Sequence, residues 1–65
     1  MMEPFYEIHV FYNNEFIEKL TNRTFNTVEA AQKYFEHSIK HSTTSYAIEE
    51  GYVFRIARLD TTYYT

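Results

Sequence analysis

His37 and His41 stand four residues apart, the spacing that brings two imidazoles to one side of a helix within reach of a metal. The zinc-peptidase pattern needs Glu directly after the first His, and Ser38 occupies that place. Only His9 or a carboxylate could complete such a site, and no spacing argues for either. Two solvent-facing histidines near a helix C-terminus are favoured by the helix dipole, which accounts for the pair without a metal. Neither a metal nor a cofactor is expected.

Hydrolytic chemistry fares no better. Ser38, Ser42 and Ser45 have no nucleophile elbow or other supporting motif around them. Glu15 and Glu18 read as solvated strand residues rather than an acid–base pair. The only glycine is Gly51, so no glycine-rich loop can cradle a phosphate. A chain this short is also expected to hold no pocket of the ~300 Å³ or more typical of ligand sites. The expectation is a protein without enzyme activity that works by binding.

Seven Tyr and six Phe make up 20% of the 65 residues, which supplies apolar contact area at low side-chain entropy cost. A protein-binding surface would use such rings as anchors, and Phe5, Phe11, Tyr52 and Tyr63 are the candidates. A second route is acidic: Glu15, Glu18, Glu49 and Glu50 are expected to gather near two hairpins and to meet a basic target. Nucleic-acid binding is the alternative, with Tyr52 and Phe54 stacking bases and Arg55 and Arg58 meeting phosphates. Against it stand a formal net charge of −3 and six cations scattered along the chain, since clustered Lys and Arg drive nucleic-acid affinity. A structural homo-oligomer is the third class.

One Gly, one Pro, no Trp and many Asn, Lys, Ile, Tyr and Phe are the usage of an AT-rich genome. This composition suggests a small phage or mobile-element accessory protein that binds and inhibits or modulates a host protein, as counter-defence inhibitors do. Without cysteine there is no disulfide scaffold and no thiolate metal site. Glu3, Pro4, Glu7 and His9 interrupt any apolar leader, and no run approaches the ~20 apolar residues that span a bilayer. The expected location is the cytoplasm.

These side chains must be carried by one small domain, ordered over about residues 4–60 with a loose tail at 61–65. Phe5 to Tyr12 alternates, with Tyr6, Ile8, Val10 and Tyr12 on one face and Phe5, Glu7, His9 and Phe11 on the other. Asn13-Asn14 suits a type I′ turn, so Glu15 to Leu20 is expected to return as a second strand. Asn26 is expected to cap a helix, with Glu29 completing a capping box and Phe25 stapled against Ala30. Val28, Ala31, Phe35, Ser38 and Ile39 form its apolar stripe, Tyr34 sits at the stripe's edge, and the Ser42–Ser45 run ends it near His41. Tyr46 to Glu49 and Tyr52 to Leu59 read as a second hairpin turning at Gly51. The resulting expectation is an α+β domain, β-β-α-β-β, a four-stranded antiparallel sheet with one helix on one face.

Overall fold

The computed structural model describes residues 4–59 and is an α+β domain with a three-stranded antiparallel sheet and two helices. The elements are β1 (Phe5–Tyr12), β2 (Glu15–Lys19), α1 (Val28–His41), α2 (Thr44–Glu49) and β3 (Val53–Leu59), and the sheet order is β2-β1-β3. Among the described residues no helix is long and apolar enough to cross a membrane.

The first hairpin forms as its turn chemistry dictates. Asn13 and Asn14 both take positive φ, 53° and 67°, as the two central residues of a type I′ turn must. β2 pairs with β1 from Tyr12↔Glu15 to His9↔Lys19, with a bulge that leaves Ile17 as the extra residue. The chain then continues beside β1: the Leu20 N–H donates to the Ile8 carbonyl at 2.8 Å, and Tyr6 and Phe25 exchange two backbone hydrogen bonds at 2.8 and 2.9 Å.

α1 starts one residue later than expected. Thr27, not Asn26, is the N-cap, with extended backbone and an Oγ1 that accepts from the Ala30 N–H at 3.1 Å. Glu29 therefore falls one position short of the capping-box place, although it still meets the positive end of the helix dipole. Phe25 is not a peripheral staple: it is 5% exposed and joins Ile8 and Ala31 at the centre of the core. The stripe packs largely as its period implies, with Ala31 and Ser38 buried and Phe35 and Ile39 half-buried. Val28, at the first turn, remains exposed.

The second expected hairpin does not exist. Tyr46 to Glu49 is helical, so the order is β-β-α-α-β and the sheet has three strands, not four. The Ser/Thr run that breaks α1 also begins α2. The Ser42 Oγ–H donates to the Ser38 carbonyl at 2.6 Å, and the same oxygen accepts from the Thr44 N–H at 3.3 Å. Tyr46 and Ile48, whose spacing of two suggests a strand, point to solvent, while the small residues Thr44 and Ala47, three apart, turn inward.

Gly51 has φ +106°, but it closes α2 rather than a hairpin. Its N–H donates to the Ile48 carbonyl and the Tyr52 N–H donates to the Ala47 carbonyl, both at 3.1 Å, the paired bonds of a Schellman C-terminus. A Cβ here would meet only Tyr12 Cε1 at an ordinary 3.5 Å, so the cost of substitution lies in the backbone. Gly51→Ala is expected to lower stability by about 1–2 kcal/mol, with Gly51→Asn losing less, as read from urea midpoints. Equal losses for both would point to side-chain crowding instead.

Both helices lie on the same face of the sheet. Tyr6, Ile8, Phe54 and Ile56 face α1, where Phe35 packs its ring on Phe54 at 5.3 Å, and α2 closes over Tyr52 and the far end. Among the described residues no helix covers the opposite face, called here the open face. It carries Phe5, Glu7, His9 and Phe11 of β1, their partners Leu59, Ala57, Arg55 and Val53 of β3, and Phe16 and Lys19 of β2.

Candidate functional site

The two sides of the domain differ in charge and chemistry. Where β2, the end of β1 and α2 converge on the helix side, two adjoining clefts of about 350 and 230 Å³ share Thr43, Ala47 and Tyr52. Tyr12, Tyr46 and Tyr52 line the larger cleft, with the Tyr12 and Tyr52 rings 4.8 Å apart. Tyr46, on the outer side of α2, is 66% exposed, and Ile17 and Ile48 are also exposed. Glu50 lines the first cleft and Glu18 the second, while neither is lined by Lys or Arg.

Glu15 stands opposite Tyr12 in the β1–β2 register, and Glu49 immediately precedes Glu50 at the end of α2. All four carboxylates are exposed. Five of the residues singled out from sequence, Tyr52, Glu15, Glu18, Glu49 and Glu50, thus belong to this one end of the molecule. The carboxylates border one hairpin and one helix end rather than two hairpins. Sequence reasoning misses Tyr12 and Tyr46, because Tyr12 reads as a core-face strand residue and Tyr46 as part of a strand. Tyr63 lies outside the described residues.

The open face gathers the remaining candidates differently. Phe11 lies edge-on to Phe16 at 5.9 Å, the Arg55 guanidinium sits 5.2 Å over the Phe11 ring, and His9 meets Phe16 edge-on at 5.0 Å. Phe16 and Val53 are about half exposed. Phe5 lies further along the same face, opposite Leu59. Strand alternation puts Arg55 on the open face and Arg58 with Phe54 on the helix side, yet both arginines line the groove between α1 and β3. Phe54 packs against the core and lines that groove with the two arginines, whereas Tyr52 lines the clefts at the other end.

A small polar network crosses this open face. The His9 Nε2–H donates to Glu7 Oε1 at 3.0 Å, and Lys19 Nζ donates to Glu7 Oε2 at 3.4 Å. The hydrogen bond from His9 holds the Glu7 carboxyl below its ordinary 4.5, against the opposing pull of burial, and Lys19 adds to the lowering. A folded-state value below the unfolded one stabilises the fold above pH 4.5, and that contribution is lost as pH falls through the folded value. Wild type is therefore expected to exceed Glu7→Gln in stability at pH 6, and the margin should close as pH falls below ~4.5. Parallel stability curves down to about pH 3 would remove Glu7 from this role.

His37 and His41 stack with ring centroids 4.3 Å apart, and both are exposed. Among the described residues no group of three or more His, Cys, Asp or Glu could hold a metal ion. The expectation that the domain is too small for a ligand-sized pocket is corrected: a groove of about 660 Å³ runs between α1 and β3, lined by Val28, Phe35, Phe54 and Ile56 among others. It exists because a three-stranded sheet leaves β3 at the margin of the helix that covers it. Compared with known proteins, the chain matches no family model, no curated protein and no solved structure.

Proposed function

We propose that this chain is a non-enzymatic protein–protein interaction module, and that the tyrosine cleft between α2 and the β1–β2 hairpin is where a partner docks. The observation that carries this reading is the convergence of Tyr12, Tyr46 and Tyr52 on a cleft lined by Glu50 and by no cation. Tyrosine supplies broad, rigid contact area with a polar tip, and the carboxylates around it would steer and orient a basic protein surface. The matching partner is a protein with a Lys/Arg-rich patch, which the module would block by occupying it. The AT-rich residue usage extends the proposal to an accessory protein of a phage or mobile element acting on a host protein.

A second reading has its own support. Phe11, Phe16, Lys19 and Arg55 share the open face, a combination that could stack and neutralise a single-stranded nucleic acid. Two firm cations offer little phosphate neutralisation, so this reading ranks below the first.

The test is a pull-down with tagged protein from bacterial lysate, with and without nuclease, comparing wild type with Tyr46→Ala and with Glu18→Lys/Glu50→Lys. A stoichiometric basic protein is expected to survive nuclease. Tyr46→Ala should weaken it at least ~10-fold, and rising salt should weaken it steeply. A partner held equally by all variants, or with affinity flat in salt, overturns the cleft reading. Loss of every partner with nuclease favours the open face.

A further inference from the structure

A cleft of about 560 Å³ lies between α1 and the segment that runs from Leu20 to Phe25 beside β1. Ala30, Lys33, Tyr34 and His37 line its α1 wall, and their three- and four-residue spacing puts them on one face of the helix. Arg23 and Phe25 line the other wall. Val28, Gln32 and Phe35, which border the groove toward β3, belong to a different face of α1.

The cleft is basic in an acidic chain. Arg23, Lys33 and His37 line it and no carboxylate does, although the formal net charge of the chain is −3. Glu29 and Glu36 stand four and three residues from Lys33 along α1, within reach of its charge. Among the described residues, however, neither Lys33 nor Arg23 is engaged in an ion pair. The sign is thus opposite to that of the tyrosine clefts, and no lining residue is shared with them.

Arg23 is also held in place. Its backbone N–H donates to Thr21 Oγ1 at 3.2 Å, a local bond that fixes the turn. Its guanidinium sits 5.5 Å from the centroid of the Phe25 ring and 5.2 Å from that of Tyr34. Phe25 is 5% exposed, so this platform is anchored in the core. A guanidinium held over ring faces loses little further freedom when the N–H groups in its own plane meet an anion.

The geometry points to this cleft as a binding site for a small organic phosphate monoester. The Arg23 fork, the Lys33 ammonium and a His37 ring N–H are three separate donors, matching the three terminal oxygens of a monoester, whereas a carboxylate offers two. Ala30 and Tyr34 supply an apolar wall for the organic group.

The test is a titration of the full, isotope-labelled chain with phenyl phosphate, inorganic phosphate and benzoate, followed by amide chemical shifts, alongside Arg23→Gln and Lys33→Gln. Phenyl phosphate is expected to move the amides of Arg23, Lys33 and His37 and to saturate with Kd of about 1 mM or below. Benzoate should bind at least about tenfold more weakly, and inorganic phosphate should fall between the two, since it leaves the apolar wall unfilled. Arg23→Gln should raise the Kd for phenyl phosphate about tenfold. Lys33→Gln, at an exposed helix position that the core does not use, should raise it about threefold and keeps the test open if Arg23→Gln fails to fold. Benzoate binding as tightly as phenyl phosphate, no saturation by about 10 mM, or equal affinity in wild type and Lys33→Gln overturns the inference.

Discussion

Ile8→Ala is expected to lower stability by about 2–5 kcal/mol and to shift the urea midpoint close to zero denaturant. Ile8 is 1% exposed and stands at the middle of the central strand, opposite Ile56 and against Phe25 and Ala31. Removing its outer carbons loses their transfer free energy and leaves a void that close neighbours cannot fill. Few residues share that load: among the described residues Val10, Phe25 and Ala31 are the other buried apolar ones. Ile8→Val should cost only about 0.5–1.5 kcal/mol, and Val53→Ala, at a site 48% exposed, should fall within about 0.5 kcal/mol of wild type. A loss below about 1 kcal/mol for Ile8→Ala would move the centre of the core elsewhere.

The parts of this fold that are legible in the sequence are those where one physical signal acts alone. Asn13-Asn14 must take positive φ, and alternation along β1 separates Ile8 and Val10 from Glu7 and His9. The α1 stripe has one period over four turns. The Tyr46–Glu49 segment misleads because two signals compete there. Large apolar residues two apart suggest a strand, yet the inward positions are Thr44 and Ala47, whose small size hides a helical period from any count of hydrophobic residues. Gly51 needs positive φ in either reading, so it cannot arbitrate. The site inherits the same ambiguity: Glu49 and Glu50 are recognisable as exposed acids, while Tyr46 joins the cleft only because its segment is helical. Arg55 and Arg58 start from opposite faces, since an odd spacing on a strand alternates its side chains, yet both line the groove beside α1.

Phe25→Ala is the second large effect, about 3–5 kcal/mol, and it discriminates between two roles for one aromatic. As a staple against Ala30, Phe25 would fix only the entry to α1, and its loss would cost no more than about 1 kcal/mol, the scale of a lost cap. In the structure it does more. β2 ends at Lys19, and the chain from Leu20 to Phe25 continues along the exposed side of β1, closing with the paired backbone bonds to Tyr6. The Phe25 ring then turns inward against Tyr34 at 5.4 Å, with the Arg23 guanidinium 5.5 Å from one ring and 5.2 Å from the other. Phe25→Leu keeps most of the apolar volume and the backbone bridge, so it should cost less than about 1.5 kcal/mol. The Tyr6 amide should therefore stay protected from exchange in Phe25→Leu and lose protection together with the global fold in Phe25→Ala. A Tyr6 amide that exchanges early in both variants would mean the bridge depends on the ring itself, and that the seam between β1 and α1 opens before the rest of the sheet.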